Sequence, residues 1–238
     1  MHLFYAPDCV NGTAGTIFTL NYEESQHCVK VLRLKNNSKI RITDGAGMLY
    51  NAELIENNPK ACIVQIDNIV KKLSPRNYSV HIAIAPTKNI ARTEWFLEKA
   101  TEIGIDEITP IYSVNSERTT IKRERFEKII ISALKQSQQV FMPVLNEEQA
   151  LNTFLDKYDS QCKLIATCEE VAEKKTIKQA YSPFHSVILL IGPEGDFNLD
   201  EINKALDLDY QIITLGENRL RTETAALVAL QSINFMNL

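Results

Sequence analysis

The chain has 238 residues, of which 45% are apolar, 24% charged and 8% aromatic. This is the composition of a globular protein rather than a disordered one. No uninterrupted apolar run, Val187 to Ile191 included, approaches the roughly 18 residues of a membrane-spanning helix. The net charge of -4 does not favour a polyanion as partner, but residues 1–140 carry 18 basic and 15 acidic groups, against 8 and 15 in residues 141–238. This uneven distribution is compatible with a polyanion that binds to residues 1–140.

The five cysteines form no C-x-x-C pair, their number is odd, and no His-rich stretch accompanies them. We therefore expect neither a disulfide framework nor a metal site, and we expect reduced thiols in a cytoplasmic protein. The first residues, Met1 to Asp8, contain no basic segment that leads into an apolar stretch, so we expect no secretory signal.

The first seventy residues have the pattern of a small β-unit. A short helix is predicted over residues 25–34. Lys39 to Thr43 alternates polar and apolar residues as a half-buried strand does, and the turn Asp44 to Gly47 leads into a second strand over 48–55. A third strand is predicted over 61–70, so this part of the chain indicates a small sheet or barrel.

A domain boundary is predicted at Lys71 to Arg76, which is polar, contains a proline and lies where the pattern changes. The prediction is one domain over residues 1–72 and a second over 73–238.

Strands alternate with helices after this boundary, which predicts a mostly parallel sheet. We expect both Trp95 and Phe96 in the core. The predicted strands are 78–85, 107–112, 163–167, 186–191 and 211–215, and the predicted helices are 91–103, 123–136, 146–158, 198–206 and 224–236.

Two glycine-containing loops follow consecutive predicted strands, Ile191 to Phe197 and Leu215 to Ala226. Ligands of open α/β sheets bind at the carboxyl ends of the strands, where these loops lie. A plainer interpretation is that Gly192 and Pro193 only make a turn and that Thr222 only caps a helix. Neither loop contains a P-loop or a dinucleotide fingerprint, and the sequence has no G-x-S-x-G or H-E-x-x-H motif.

The two loops carry a resemblance to a known family. IGPEGDFNLDEI (191–202) and LGENRLRTETAALVAL (215–230) resemble the paired signatures of the RsmE family, SPOUT-class methyltransferases that act on 16S ribosomal RNA. The resemblance continues upstream, in the same order as in the family, through His27 to Gly47, Trp95 to Thr119 and Lys135 to Gln139.

This resemblance implies an α+β chain of two domains, an RNA-binding PUA-like β-barrel and then a trefoil-knotted SPOUT α/β-knot methyltransferase domain. It further implies a homodimer that uses S-adenosyl-L-methionine, without a metal, to methylate N3 of a uridine in the 16S rRNA of the small ribosomal subunit. Two alternatives stay open. One is a catalytically silent SPOUT-like protein that binds RNA or assists ribosome assembly, and the other is a methyltransferase that acts on a different RNA.

The family motifs also imply roles for individual residues. Arg221 would stabilise charge on the base or orient it, and Glu223 would orient the base or accept its proton. The plainer alternatives are a surface ion pair between these two residues, or an acid that only favours the start of a helix. The residues implied to bind the cofactor are Thr167, Gly192, Glu194, Gly195, Leu215, Gly216, Leu220, Thr222, Thr224 and Ala225.

RNA contacts are predicted for basic residues outside these loops. For the basic residues between 118 and 125, the alternative to RNA contact is a helix face that only meets solvent. For His27, the alternative is a side chain packed within its helix. The predicted contacts are His27, Arg33, Arg118, Lys122, Arg123 and Arg125.

The sequence departs from the family pattern at two places. Asp196 stands where the common loop has a second glycine, and 217–219 is more polar than usual. Asp tolerates unusual φ angles better than most residues, so we expect the turn to survive, while the effect on cofactor affinity stays open.

Overall fold

The computed structural model describes residues 1–9, 11–170 and 173–238. The chain divides into two compact units. The first comprises Met1–Pro75 and Leu134–Met142, and the second comprises Arg76–Ala133 and Pro143–Leu238. None of the described helices is both long and apolar enough to cross a bilayer.

The first unit is a five-stranded sheet with the strand order β1-β3-β4-β5-β2. β1 runs parallel to β3, and the other neighbours are antiparallel. Its elements are β1 (Leu3–Tyr5), β2 (Ile17–Thr19), α1 (Tyr22–Gln26), β3 (Lys39–Thr43), β4 (Met48–Glu56) and β5 (Ile63–Lys72).

The three longer strands of this unit follow the predicted pattern. The turn between β3 and β4 is held by Asp44, whose Oδ1 accepts hydrogen bonds from the backbone N–H groups of Ala46 (2.7 Å) and Met48 (3.0 Å). The predicted helix 25–34 instead begins at Tyr22 and continues after α1 as a π-helical turn over His27–Val31. Lys71 and Lys72, which open the predicted boundary segment, belong to β5.

The second unit contains a parallel sheet with the strand order β11-β13-β10-β12-β6-β7-β8, and β9 pairs with β7 beside this path. Its elements are β6 (Val80–Ile84), α2 (Ile90–Ile103), β7 (Glu107–Tyr112), α3 (Arg123–Ser137, of which the last four residues belong to the first unit), β8 (Val144–Leu145), β9 (Gln149–Ala150), α4 (Leu151–Lys157), β10 (Cys162–Ala166), β11 (Lys175–Thr176), α5 (Ile177–Ala180), β12 (Val187–Ile191), α6 (Leu199–Asp207), β13 (Gln211–Thr214) and α7 (Thr222–Met236).

Local sequence signals account for most of these elements. All five residues of β12 are buried, as expected for a strand covered on both faces. α2 ends at Gly104, whose left-handed φ of 97° lets its N–H reach the carbonyl oxygen of Ala100. α6 begins with the predicted capping box, in which Asn198 and Glu201 each accept the other's backbone N–H at 2.8 and 2.9 Å.

Two predictions for this unit are wrong. Residues 146–150 are not helical, because the side chain of Asn146 donates to Glu107 Oε1 (2.6 Å) and β9 pairs with β7, so that the helix begins only at Leu151. Trp95 is 46% exposed, whereas Phe96 is fully buried. Consecutive helical residues point about 100° apart, so only one of the two faces the core.

His81, on β6, is buried beneath the aromatic residues of α4 and the turn after it. Its Nε2 lies 2.7 Å from Thr109 Oγ1, and its ring packs edge-on against Phe154 and Tyr158 at centroid distances of 5.2 and 5.1 Å. Burial lowers the pKa of His81 from 6.5 to about 4. The folded second unit therefore holds this imidazole neutral.

The depressed pKa makes the stability of the second unit dependent on pH. Unfolded His81 takes up a proton below pH 6.5, whereas folded His81 stays neutral until about pH 4, so its contribution is complete above 6.5 and is lost between these values. Relative to His81→Gln, the wild-type free energy of unfolding is expected to fall as the pH drops from 6.5 to 5, with a slope that approaches about 1.4 kcal/mol per pH unit toward the lower pH. Urea unfolding followed by the fluorescence of Trp95, the single tryptophan, measures this.

The matched control is His185→Gln, because His185 is exposed in the same unit. This variant is expected to keep the wild-type pH dependence, since His81 is still present. Parallel pH profiles of wild type and His81→Gln would contradict the prediction.

Candidate active site

A cavity of about 620 Å³ opens at the carboxyl ends of the three adjacent strands β13, β10 and β12. Nine of the twelve residues that the family motifs implied for cofactor binding or catalysis line it: Thr167, Gly192, Glu194, Leu215, Gly216, Leu220, Arg221, Thr222 and Ala225. Gly195, Glu223 and Thr224 are not among its lining residues. The two glycine-containing loops therefore line one cavity.

The loop after β12 packs closely on itself and on the start of α7. A Cβ atom at Gly192 would lie 3.2 Å from the ring of Phe197, closer than most real contacts of this kind. Thr222 Oγ1 donates to the carbonyl oxygen of Gly192 at 3.1 Å, which joins this loop to the other one. Asp196 adopts the left-handed φ of 61° that its place in the turn requires, so the turn persists without the second glycine, as expected.

The loop after β13 turns at Gly216, whose φ of 130° disfavours other residues. Thr214 Oγ1 donates to the carbonyl oxygen of Gly216 at 3.0 Å and closes the turn. Arg219, from the unusually polar part of this loop, donates to the carbonyl oxygen of Glu194 at 3.2 Å. The departure from the family pattern at 217–219 therefore supplies a second tie between the two loops.

Arg221 and Glu223 occupy different surroundings at the start of α7. The exposed side chain of Arg221 lines the cavity and makes no hydrogen bond or ion pair with the residues that the structure describes. Glu223 is only 6% exposed, and its Oε1 lies 3.9 Å from Nε of Arg92. Its buried Oε2 has no hydrogen-bond partner within the described parts of the chain. The surface ion pair between Arg221 and Glu223 is therefore not formed.

Arg92 is the main residue of the site that the sequence analysis missed. It belongs to α2, which packs against α7, and its side chain lines the cavity. No local motif marks it, because only the packing of the two helices brings it there. Two further cavity residues, Cys168 and Lys174, follow β10, and Lys174 Nζ donates to the carbonyl oxygen of Thr167 at 3.0 Å.

The residues predicted to contact RNA do not line this cavity. In the first unit, Arg33 is exposed, whereas His27 is half-buried with its ring centroid 6.1 Å from that of Phe4. Burial, together with the charge of Lys135, lowers the pKa of His27. These contacts favour the packed-residue interpretation of His27.

Three of the four basic residues predicted in the second unit are engaged within the protein. Arg123 donates to the carbonyl oxygen of Leu145 and pairs with Glu127 at 2.8 Å. Arg125 forms a two-pronged pair with Glu94, with both distances 3.0 Å. Arg118 donates from Nε and Nη2 to the carbonyl oxygens of residues 87 (3.2 Å) and 88 (2.9 Å). Lys122 is exposed.

The contacts of Arg118 connect it indirectly to the cavity. It holds the backbone of Thr87 and Lys88, and the N–H of Lys88 donates to Glu194 Oε1 at 3.1 Å. On the same loop as Arg118, Asn115 Nδ2 donates to the carbonyl oxygens of Gly195 and Asp196, both at 3.1 Å. The loop after β7 therefore supports the loop after β12 from outside the cavity. Among the described residues, no group of three or more His, Cys, Asp or Glu side chains could hold a metal ion.

These contacts predict that Arg118 stabilises the second unit. Arg118→Ala is expected to lower the free energy of unfolding by about 2 kcal/mol, because two carbonyl oxygens lose a charged donor. Lys122→Ala, the matched control, is expected to change it by less than about 0.5 kcal/mol. Urea unfolding followed by Trp95 fluorescence measures both. An Arg118→Ala variant with unchanged stability but weaker binding to RNA would show that Arg118 acts as an RNA contact instead.

Two family models match the chain. The model described as "RNA methyltransferase domain" matches residues 74–234, and the model described as "RNA methyltransferase PUA domain" matches residues 20–67. The first of these covers more than half of the chain.

Relatives and solved structures agree with these models. The ribosomal RNA small subunit methyltransferase E of Mesomycoplasma hyopneumoniae is 33% identical over 221 residues, which is 90% of each chain. A crystal structure of a "probable rRNA-methyltransferase" from Porphyromonas gingivalis is 39% identical and superposes with a TM-score of 0.88 over 100% of this chain and 98% of that one. The ribosomal RNA small subunit methyltransferase E of Neisseria gonorrhoeae, solved with bound S-adenosyl methionine, is 26% identical with a TM-score of 0.84 over 100% and 98%.

The predicted fold class, a PUA-like unit followed by a SPOUT-class methyltransferase domain, is therefore confirmed. With its two glycine-containing loops on one cavity and relatives that match it almost end to end, the chain belongs to the ribosomal RNA small subunit methyltransferase E family.

Proposed function

We propose that this protein transfers the methyl group of S-adenosyl-L-methionine to N3 of a uridine in 16S rRNA. The observation that carries the proposal is the cavity beside the two glycine-containing loops. Nine of the twelve residues that the family motifs implied for the site line this cavity. Relatives from Legionella pneumophila and Neisseria gonorrhoeae, 27% and 26% identical, were solved with S-adenosyl methionine bound. Curated relatives across bacteria are named ribosomal RNA small subunit methyltransferase E.

The cavity has the size and lining that this cofactor needs. Its volume of about 620 Å³ falls in the range of small-molecule sites. Leu215 and Leu220, both half-buried, supply apolar surface for a flat base. The backbone at Gly216 is exposed, with open space where a side chain would stand. When bound, the cofactor supplies an electrophilic methyl group on its sulfonium. The residues that would hold it are the ten named from the family motifs, eight of which line the cavity together with Arg221.

Arg221 has the surroundings that a charge-stabilising residue needs. The N3–H proton of uracil leaves as the methyl group arrives, and the negative charge that develops spreads onto the carbonyl oxygens of the base. The free guanidinium of Arg221 faces the cavity at the amino end of α7, where the helix dipole also favours negative charge. We propose that Arg221 contacts the base through these donors.

Glu223 would act through Arg92 rather than directly on the base. Its carboxylate is buried behind the cavity lining and faces Arg92, which itself lines the cavity. We propose that Glu223 orients Arg92, while the N3 proton passes to another carboxylate or to water. This changes the role that the family motifs implied for Glu223 and adds a second cation to the site.

We further propose that residues 1–72 form the RNA-binding domain and residues 73–238 the methyltransferase domain, and that the protein acts as a homodimer on the small ribosomal subunit in the cytoplasm. The PUA domain match over 20–67 and the exposed Arg33 support the first part. Light scattering at increasing concentration tests the dimer, for which a single species of twice the 27.0 kDa chain mass is expected. A monomer at all concentrations would contradict it.

Two measurements test the function. Calorimetric titration with S-adenosyl-L-methionine is expected to show binding, and its absence at millimolar ligand with folded protein would favour the catalytically silent alternative. Mass mapping of 16S rRNA from a strain that lacks this protein is expected to show one uridine without its methyl group. That rRNA should regain the group when purified protein and cofactor are added. A complete set of modified uridines in the deletion strain would show that 16S rRNA is not the substrate.

Arg221→Ala is expected to lower kcat by about a hundredfold or more, because the charge that develops on the base loses a donor aimed at it. Arg221→Lys, which keeps the charge but not the planar fork, is expected to recover only part of the loss. Steady-state methyl transfer to 16S rRNA measures kcat, and circular dichroism and cofactor titration check that both variants fold and bind. Wild-type turnover in a folded Arg221→Ala protein would contradict the assigned role.

A further inference from the structure

Asp196 is one of the cavity residues at which this chain departs from the family pattern. It stands in place of a glycine, it keeps the left-handed backbone of that glycine at φ 61°, and it lines the cavity while only 8% of its surface is exposed. A side chain can be tolerated at a glycine position simply because there is room for it. The carboxylate of Asp196 also accepts hydrogen bonds from its neighbours.

Both carboxylate oxygens of Asp196 accept hydrogen bonds. Oδ2 accepts from Thr167 Oγ1 at 3.0 Å and from the backbone N–H of Cys168 at 2.6 Å. Oδ1 accepts from the backbone N–H of Phe197 at 2.8 Å. Thr167 and Cys168 follow β10, whereas Asp196 and Phe197 follow β12, its parallel neighbour. One carboxylate therefore joins two loops that line the cavity.

The hydrogen bond between Thr167 and Asp196 also fixes the turn that follows β10. The hydroxyl of Thr167 donates to Asp196 and at the same time accepts the backbone N–H of Glu169 at 3.1 Å. Its single proton is committed to the carboxylate, so the hydroxyl oxygen is oriented to receive Glu169. Hydrogen bonds to an ionised acceptor are about twice as strong as those between neutral groups. A glycine at position 196 offers none of these acceptors.

We propose that Asp196 is a positioning residue of the cofactor site, which holds the turn Thr167 to Glu169 as a preformed wall of the cavity. The inference rests on the proposed binding of S-adenosyl-L-methionine in that cavity. A wall that is already ordered costs less conformational entropy when the ligand binds, so the carboxylate increases affinity without touching the ligand. Asp196 thus replaces the flexibility of the family glycine with a fixed contact.

Three variants separate the carboxylate from the backbone conformation. Asp196→Gly keeps the left-handed turn and removes all acceptors. Asp196→Asn keeps one acceptor oxygen but turns an NH2 group toward a backbone N–H, so one amide is left unpaired. Asp209→Gly is the matched control, because exposed Asp209 has the same left-handed φ (65°) and its side chain forms no hydrogen bond with the described residues.

Two readouts test the proposal. In calorimetric titration, the Kd for S-adenosyl-L-methionine is expected to rise about tenfold or more in Asp196→Gly and by a smaller factor in Asp196→Asn, and to stay unchanged in Asp209→Gly. The second readout is alkylation by iodoacetamide without cofactor, followed by mass spectrometry. Cys168 is the exposed one of the five cysteines, and the other four are buried. The alkylation rate of Cys168 is expected to be lowest in wild type, higher in Asp196→Asn and highest in Asp196→Gly.

The outcomes distinguish this proposal from the one on which it rests. If Asp196→Gly binds the cofactor as tightly as wild type, or if the alkylation rate of Cys168 is the same in both proteins, the positioning role is wrong while the proposed function stands. If wild type itself does not bind the cofactor, the proposed function fails and the positioning role fails with it. Thermal unfolding followed by Trp95 fluorescence establishes that each variant is folded in these comparisons.

Discussion

The parallel pairing of β10 with both β12 and β13 is the constraint on which the site depends. Parallel strands end at the same edge of a sheet, and this pairing places the loops after all three strands side by side. The register brings Ala166 opposite both Ile191 and Ile213, so the residues that follow each strand leave the sheet at one level. The cavity is the space between the ends of these three strands. Its position follows from the backbone hydrogen bonds of the sheet rather than from any residue in the loops.

Side chains then give this space a fixed shape by joining one loop to the next. Thr222 reaches the carbonyl oxygen of Gly192, Arg219 reaches that of Glu194, and Asp196 takes the hydroxyl of Thr167. Each bond connects the loop after β12 to a neighbour, so this loop is the shared centre of the network. Arg118 completes it from outside by holding the backbone that donates to Glu194. Glycines allow the loops to approach one another closely, and polar side chains set how they meet.

How much of this the sequence could predict depended on whether the signal was local. The glycine-containing loops, the capping box at Asn198 and the buried strand β12 depend on adjacent residues, and they were predicted. β1 and β2 have three residues each, which is too short to show a period of two. Arg92 could not be predicted, because a helix far along the chain brings it to the cavity. Arg118 was recognised as a basic residue of interest, but only its two carbonyl partners show that its charge is used within the protein.

The same contacts explain how an acidic segment can form a site for a negatively charged substrate. Residues 141–238 carry seven more acidic than basic groups. Glu217 is exposed at the cavity, but the other carboxylates in or beside it face donors inside the protein. Glu201 accepts the N–H groups of Val114 and Asn198, Asp196 accepts three donors, and Glu223 faces Arg92. Arg221, by contrast, has no internal acceptor among the described residues, and its side chain is exposed. Because field strength at a site depends on which charges face it, the cavity presents a free cation although the surrounding sequence is acidic.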